Sequence, residues 1–280
     1  MKKIALFLSI ILTSVTVFAQ QSYDLSQLDI PGRETELLRI DSDGKQRVAL
    51  MVLPKVKSEE KSPLVFVFHG RGGQIKGISR RMAIHNFWPE AVVVYPQGEW
   101  GQGRLIKEGF GWVMPSVEDE GMDIRFFDKL YEKICSDYNI DTNRVYSMGH
   151  SNGGGMTLAL WATRADRFAA FAPSATAHSI FFRTFYMIPK PLFYMARQED
   201  ELVKFTGIQI CLRKILRINN CQSPVNEENY IVKYSSAEGN DVWTSFPHGG
   251  HTMQPNVYSK VVEFFKAHPR KKSGISTSEL

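Results

Sequence analysis

Short, nearly continuous apolar runs separated by helical patterns dominate the chain. Leu64 to Phe68, Ala91 to Tyr95, Val145 to Met148, Ala169 to Phe171 and Leu192 to Met195 lack the polar alternation of a strand with one wet face. That is the signature of strands buried on both sides of a parallel sheet. Between them apolar residues recur at helical spacing, most clearly from Met122 to Tyr138 and from Gly154 to Thr163. Ahead of this region, Glu36 to Ile40 and Arg47 to Leu53 alternate and flank Ser42-Asp43-Gly44, which predicts a hairpin. Val242 to Phe246 is the last strand pattern. The order predicts an α/β fold: a mostly parallel sheet with helices on both faces and an N-terminal antiparallel hairpin. Ligands of such sheets bind beyond the C-terminal ends of the strands, so the chemistry is sought there.

With 280 residues, 43% hydrophobic and 22% charged, the chain has material for one large core, and no repeat or low-complexity linker divides it. Lys2 and Lys3 precede an apolar run from Ile4 that ends at Val17-Phe18-Ala19, the layout of a cleaved signal peptide and too short for a spanning helix. We expect a signal peptide over 1–19, one domain over 20–267 and a flexible basic tail over 268–280. The product should be a secreted or periplasmic monomer without stable membrane insertion. Lys and Arg total 34 against 29 Asp and Glu, and loss of Lys2 and Lys3 cuts the excess to three. That excess is too small and scattered for nucleic acid, and its densest part, Arg270-Lys271-Lys272, reads as a solvated end. Export permits disulfides, and the closely spaced Cys211 and Cys221 are the expected pair, with Cys135 a buried free thiol. No Cys and His spacing suits zinc, and no metal or organic cofactor is implied.

After the strand ending at Met148 comes Gly149-His150-Ser151-Asn152-Gly153-Gly154, and a helical pattern follows at once. Gly-x-Ser-x-Gly between strand and helix is a nucleophile elbow, which leaves the Ser151 hydroxyl exposed above the sheet. A serine needs a base, and the base a carboxylate, in the chain order Ser, acid, His. Of the histidines after Ser151, His178 and His268 are poorly placed, whereas His248 and His251 both stand in the loop that follows the last strand. For the acid, the loop after Leu192 to Met195 offers Glu199, Asp200 and Glu201, with Asp200 the leading candidate. Oxyanion donors are expected from the backbone of Asn152 and from that of Gly70 and Arg71, in the glycine-rich loop Phe68-His69-Gly70-Arg71-Gly72-Gly73. His69 reads as an orienting residue of that loop.

With these residues in place, the chain resembles the secreted polyhydroxybutyrate depolymerase-like esterases of the α/β-hydrolase superfamily, the group that includes many feruloyl and acetyl-xylan esterases. The resemblance runs from about Lys61 to Phe265. It rests on Val67-Phe68-His69-Gly70, Val94-Tyr95-Pro96-Gln97-Gly98, Gly111-Trp112, Ile140-Asp141-x-x-Arg144-Val145-Tyr146, the elbow, Asp166-Arg167-Phe168-Ala169-Ala170 and Gly249-Gly250-His251-Thr252. It implies the α/β-hydrolase fold, matches Asp200 to the family acid and His251 to the family base, and so gives a Ser151, Asp200, His251 triad.

Met253 stands where the family usually carries Trp, Arg197-Gln198-Glu199-Asp200 replaces Gly-Thr-Ala-Asp, and Arg71 occupies a position often held by Cys. Trp112 and Trp100 are candidates either for stacking on a sugar or aromatic acyl group or for plain packing, and the aromatic segment 180–186 for either a substrate wall or core packing. The resemblance implies an exported serine esterase acting on feruloyl or acetyl esters of polysaccharides. No appended substrate-binding module is legible, which favours polysaccharide or oligosaccharide esters over solid polyester. Polyester or small-ester hydrolysis is the alternative, followed by a peptidase or a non-catalytic carbohydrate-binding protein.

Overall fold

The computed structural model describes residues 28–101, 109–224, 226–228 and 230–270. The signal segment expected over 1–19, and Lys271 and Lys272, lie outside them. Strands β1 (Thr35–Ser42) and β2 (Lys45–Val52) pair antiparallel with Ser42 opposite Lys45. Between them Asp43 and Gly44 have φ of 52° and 73°, so both central residues take the left-handed conformation whose twist matches that of the flanking strands. There follow β3 (Ser62–Phe68), α1 (Ile75–Arg81), β4 (Val92–Pro96), a separate ribbon of β5 (Glu99–Trp100) and β6 (Phe110–Gly111), α2 (Met122–Asp137), β7 (Ile140–His150), α3 (Asn152–Arg164) and β8 (Ala170–Ser174). The chain continues with α4 (Phe181–Thr184), β9 (Leu192–Met195), α5 (Phe205–Ile218), β10 (Asn226–Glu228), β11 (Ile231–Tyr234), β12 (Val242–Ser245) and α6 (Tyr258–Ala267).

The main sheet has ten strands in the order β1-β2-β4-β3-β7-β8-β9-β12-β11-β10. Neighbours from β4 through β12 are parallel, while β2 joins β4 and β11 joins β12 antiparallel. Its centre is buried on both sides. On β3, Leu64, Phe66 and Phe68 enter the core shared with Phe127 of α2, Met156 of α3 and Ile208 of α5. Val65 and Val67 enter the opposite core with Ile78 of α1 and Phe265 of α6. That two-sided burial produces the unbroken apolar runs in the sequence. Among the described residues no helix is long and apolar enough to cross a membrane.

Two expectations need correction, and one left open is resolved. Cys211 and Cys221 are not bonded; both are free thiols. Cys211 lies inside α5 with its thiol against the Tyr194 phenol, whereas Cys221 N–H donates to Leu216 O at 2.9 Å, which fixes Cys221 at the helix end. More than one turn, about 7 Å of helix axis, separates Cys211 from that end, too far for a disulfide. The tail also begins later than expected. His268 is buried with Nδ1 donating to Phe264 O at 2.7 Å, and Arg270 N–H donates to Asn143 O at 2.8 Å, so 268–270 belong to the domain. Finally, the aromatic segment is divided: Phe181 is buried against His178 and Phe182 stands edge-on to Trp161, while Tyr186 is exposed.

Candidate active site

The turn from β7 into α3 places Ser151 at φ 57° and ψ −119°, a conformation unfavourable for a residue with a side chain. Its surroundings impose this. A Cβ on Gly153 would lie 2.2 Å from Phe68 O, and one on Gly149 would lie 2.3 Å from Gly153 O, so β7, β3 and α3 meet at this corner only because both positions are bare. Ser151 N–H donates to Ser174 O at 2.8 Å, which pins the turn to β8.

Three residues expected to act together are brought together. His251 Nε2 is 2.9 Å from Ser151 Oγ, and its Nδ1 is 2.7 Å from Asp200 Oδ2. The other Asp200 oxygen accepts the N–H groups of Leu202 at 2.9 Å and Val203 at 2.8 Å, so the loop after β9 holds the carboxylate in one orientation. Only 1% of the Asp200 side chain is exposed, against 17% for His251. An ionised carboxylate facing Nδ1 keeps the proton on that nitrogen, which leaves the Nε2 lone pair directed at the serine hydroxyl. The neighbours that competed for these roles pair with each other instead. His248 Nδ1 is 2.5 Å from Glu199 Oε1, with the His248 side chain 72% exposed, and Gly249 N–H also donates to Glu199.

The glycine loop after β3 runs alongside the serine, since a Cβ on Gly70 would stand 3.4 Å from Ser151 Cβ. His69 organises this loop from beneath. Its Nδ1 donates to Gly70 O at 2.8 Å, while Nε2 accepts Gly98 N–H at 2.9 Å and stands 3.0 Å from Gln97 Nε2. Burial pushes the His69 pKa down to about 4, so the ring stays neutral and the two nitrogens keep distinct roles. Gln97 Oε1 in turn accepts Ile75 N–H at 3.0 Å, joining the loop to α1. Behind it, buried Arg47 donates to Gln97 O at 3.1 Å and to Asp123 Oδ1 at 2.7 Å, and Asp123 Oδ2 accepts Val113 N–H at 2.7 Å. Sequence reasoning missed Gln97, Arg47 and Asp123 as supports. The only signal was Gln97 within Tyr95-Pro96-Gln97-Gly98.

A cleft of about 1310 Å³ opens above Ser151 between the glycine loop, α1, the 175–178 segment, the 202–204 loop and the His251 loop. Trp112 does not line it. That side chain is 1% exposed and its indole N–H donates to His69 O at 2.8 Å, so it props the glycine loop from inside and is not available as a stacking surface. Trp100 is 45% exposed but packs edge-on against Phe110, also away from the described cleft lining. Apolar contacts in the cleft come from Ile78, Leu202, Val203, Met253 and Pro255.

A family model described as the prolyl oligopeptidase family matches residues 126–201, the stretch that holds Ser151 and Asp200. The chain is 27% identical to a bifunctional acetylxylan esterase/xylanase from Neocallimastix patriciarum over 50% of its own length and 19% of that protein. It is 25% identical to a probable feruloyl esterase C from Aspergillus terreus, over 58% of each chain. It thus spans about a fifth of the first relative and 58% of the second. Its structure is similar to that of an acetyl xylan esterase from Aspergillus awamori, with a TM-score of 0.64 at 14% identity, covering 84% of this chain and 99% of that one. At that identity the likeness establishes a shared fold.

Proposed function

We propose that this chain, an α/β-hydrolase, is an exported serine esterase that cleaves feruloyl or acetyl esters of plant polysaccharides through an acyl-enzyme. The observation that carries the reading is the unbroken relay from Ser151 Oγ through His251 to Asp200, at 2.9 and 2.7 Å. His251 Nε2 takes the hydroxyl proton as Ser151 Oγ attacks the ester carbonyl, and Asp200 stabilises the imidazolium that results. The imidazolium then protonates the departing sugar oxygen. Water, activated by the same nitrogen, hydrolyses the acyl-serine and restores the hydroxyl.

The tetrahedral oxyanion needs donors, and Asn152 N–H, at the head of α3, has no acceptor within the helix. Peptide planarity supports Gly70 and Arg71 as further sources. The His69 carbonyl accepts the Trp112 indole and the Gly70 carbonyl accepts His69 Nδ1, so the N–H groups on the opposite edges of those two peptides, Gly70 and Arg71, turn away from these partners. The acetylxylan and feruloyl esterase relatives support the ester class and the cleft's size supports a substrate larger than a simple acyl group. Labelling with a fluorophosphonate probe tests the mechanism: the wild-type protein should be modified at Ser151 and the Ser151→Ala variant should not. Turnover of feruloyl and acetyl xylo-oligosaccharides should exceed that of a hydroxybutyrate oligomer. The reverse ranking would favour a polyester hydrolase, and cleavage of a peptide amide without either would favour a peptidase.

A further inference from the structure

The charge of the cleft is one-sided. Arg71 on the glycine loop, Arg80 and Arg81 at the end of α1, and Lys204 on the opposite wall ahead of α5 all line it, whereas among the described residues none that lines it carries a carboxylate. Among the described residues none of the four cations has an acidic partner. Elsewhere, arginines such as Arg125, Arg164 and Arg167 are bound to Asp or Glu. His150 and His178, which also line the cleft, are held away from the cationic form. Burial, the neighbouring His251 and Arg81 depress the His150 pKa to about 4, and burial also lowers that of His178, which pairs with Thr176. Converging cations in a cleft focus the field and raise the local concentration of anions, and a guanidinium offers a planar fork suited to a carboxylate. A neutral xylan chain would leave these groups unused.

Resting on the esterase reading of Ser151, we propose that the ester-bearing chain is acidic, an oligosaccharide whose uronate carboxylates are met by Arg80 and Arg81 on one wall and Lys204 on the other. The acyl group enters toward Ser151 and the charged sugars run along the cationic walls. Binding can be measured without turnover. Calorimetric titration of the Ser151→Ala protein with a galacturonate oligomer should give affinity at least about tenfold above that for the same oligomer with its carboxylates methyl-esterified, a comparison that erases the charge and keeps the sugar. The difference should shrink between about 0.02 and 0.2 M salt, as screening requires.

In that background Arg80→Glu with Arg81→Glu should abolish the preference. Lys204→Glu alone should reduce it, and Arg39→Glu on β1, an equal change in net charge away from the cleft, should retain it. Folding of each variant is checked by circular dichroism. Equal affinity for the two oligomers, or a preference that survives the cleft reversals, would overturn the proposal. Failure of the wild-type protein to hydrolyse the small neutral ester p-nitrophenyl acetate would count against the esterase reading and would leave the binding result standing on its own.

Discussion

Asn152 and Trp112 hold each other through both polar groups of one side-chain amide. Trp112 N–H donates to Asn152 Oδ1 at 2.7 Å, and Asn152 Nδ2 donates to the Trp112 carbonyl at 3.1 Å. The indole of the same tryptophan reaches the His69 carbonyl at 2.8 Å. A single buried residue therefore sets the position of the amide after Ser151 relative to the glycine loop, although these segments are far apart in sequence. The oxyanion donors proposed above are aligned by a side chain that lies outside the cleft.

Asn152→Ala keeps the backbone N–H but loses both bonds to Trp112. We expect kcat to fall about 10- to 100-fold with a smaller change in KM, because the lost alignment matters most where charge develops. Stability should drop by about 1–3 kcal/mol, since two buried backbone groups of Trp112 lose their partners. Steady-state kinetics and urea unfolding measure the two effects, and an unchanged kcat would mean that the pair serves the fold alone.

The neighbours in the acid and base loops separate cleanly in kinetics. Ser151→Ala, His251→Ala and Asp200→Asn should each lower kcat by about three to five orders of magnitude while the protein stays folded. Glu199→Gln and His248→Ala should change kcat less than about threefold, because that pair is exposed and faces solvent. A large loss with His248→Ala and a small one with His251→Ala would exchange their roles.

The strand runs of the sheet centre were legible because burial on both faces removes every polar position, as in Leu64 to Phe68, and the elbow was legible because it needs glycines at fixed offsets from Ser151. The edge pair β10 and β11 was not. Ile231–Tyr234 has only one buried residue, so its sequence carries no strand signature. The sequence leaves Trp112 open between a ligand platform and plain packing, because an aromatic next to a motif looks the same whether it faces solvent or core; only the position of β6 and its contact with His69 decide. The support formed by Arg47, Asp123 and Gln97 joins three distant segments, and no local pattern reveals such pairing. The Cys211 to Cys221 expectation failed because proximity in sequence ignores the rise of the helix between them.

Gly153→Ala tests the corner directly. Its methyl group would sit 2.2 Å from Phe68 O, a backbone atom of the central strand that cannot withdraw without disturbing the sheet. We expect loss of soluble protein, or a drop in stability of more than about 3 kcal/mol. Gly250→Ala is the matched control, because a Cβ there meets nothing within 4 Å. Equal thermal midpoints for the two variants would show that the corner relaxes.

All three cysteines should behave as unpaired thiols. Intact-mass measurement after alkylation in denaturant, without reductant, should add three labels, and the thermal midpoint should not respond to a reducing agent. In the native protein Cys211 should label slowest, since it alone of the three is buried; burial raises the pKa of both Cys211 and Cys221 to about 11, so thiolate suppression slows both and exposure separates them. A native crosslink between any two of them would contradict this.

Acid sensitivity should set in at an unusually high pH. Burial holds His69, His85 and His150 at pKa values of about 4, with the charge of Arg33 adding to the effect at His85. In the unfolded chain these rings titrate near 6.5, so between that pH and 4 the unfolded state binds protons that the native state refuses. A lowered native pKa means stability fully present above about pH 6.5 and lost as pH falls toward 4. For His69 alone the loss reaches about 3 kcal/mol. Carboxylates whose native values are lowered, such as Glu120 and Asp137, act below their unfolded values near 4, while buried Asp123, raised by burial, acts above its unfolded value with the opposite sign, stability falling there as pH rises. Urea unfolding at successive pH values from 8 to 4.5 should therefore give a flat region followed by a fall that steepens below 6.5. Replacing His85 by Asn, which leaves a polar group facing the Tyr95 hydroxyl now 2.8 Å from its Nδ1, should remove about one proton from that slope. A stability that stays level down to pH 5 in the wild-type protein would mean that these rings accept protons in the folded state, and the neutral, two-role His69 assumed under the glycine loop would have to be abandoned.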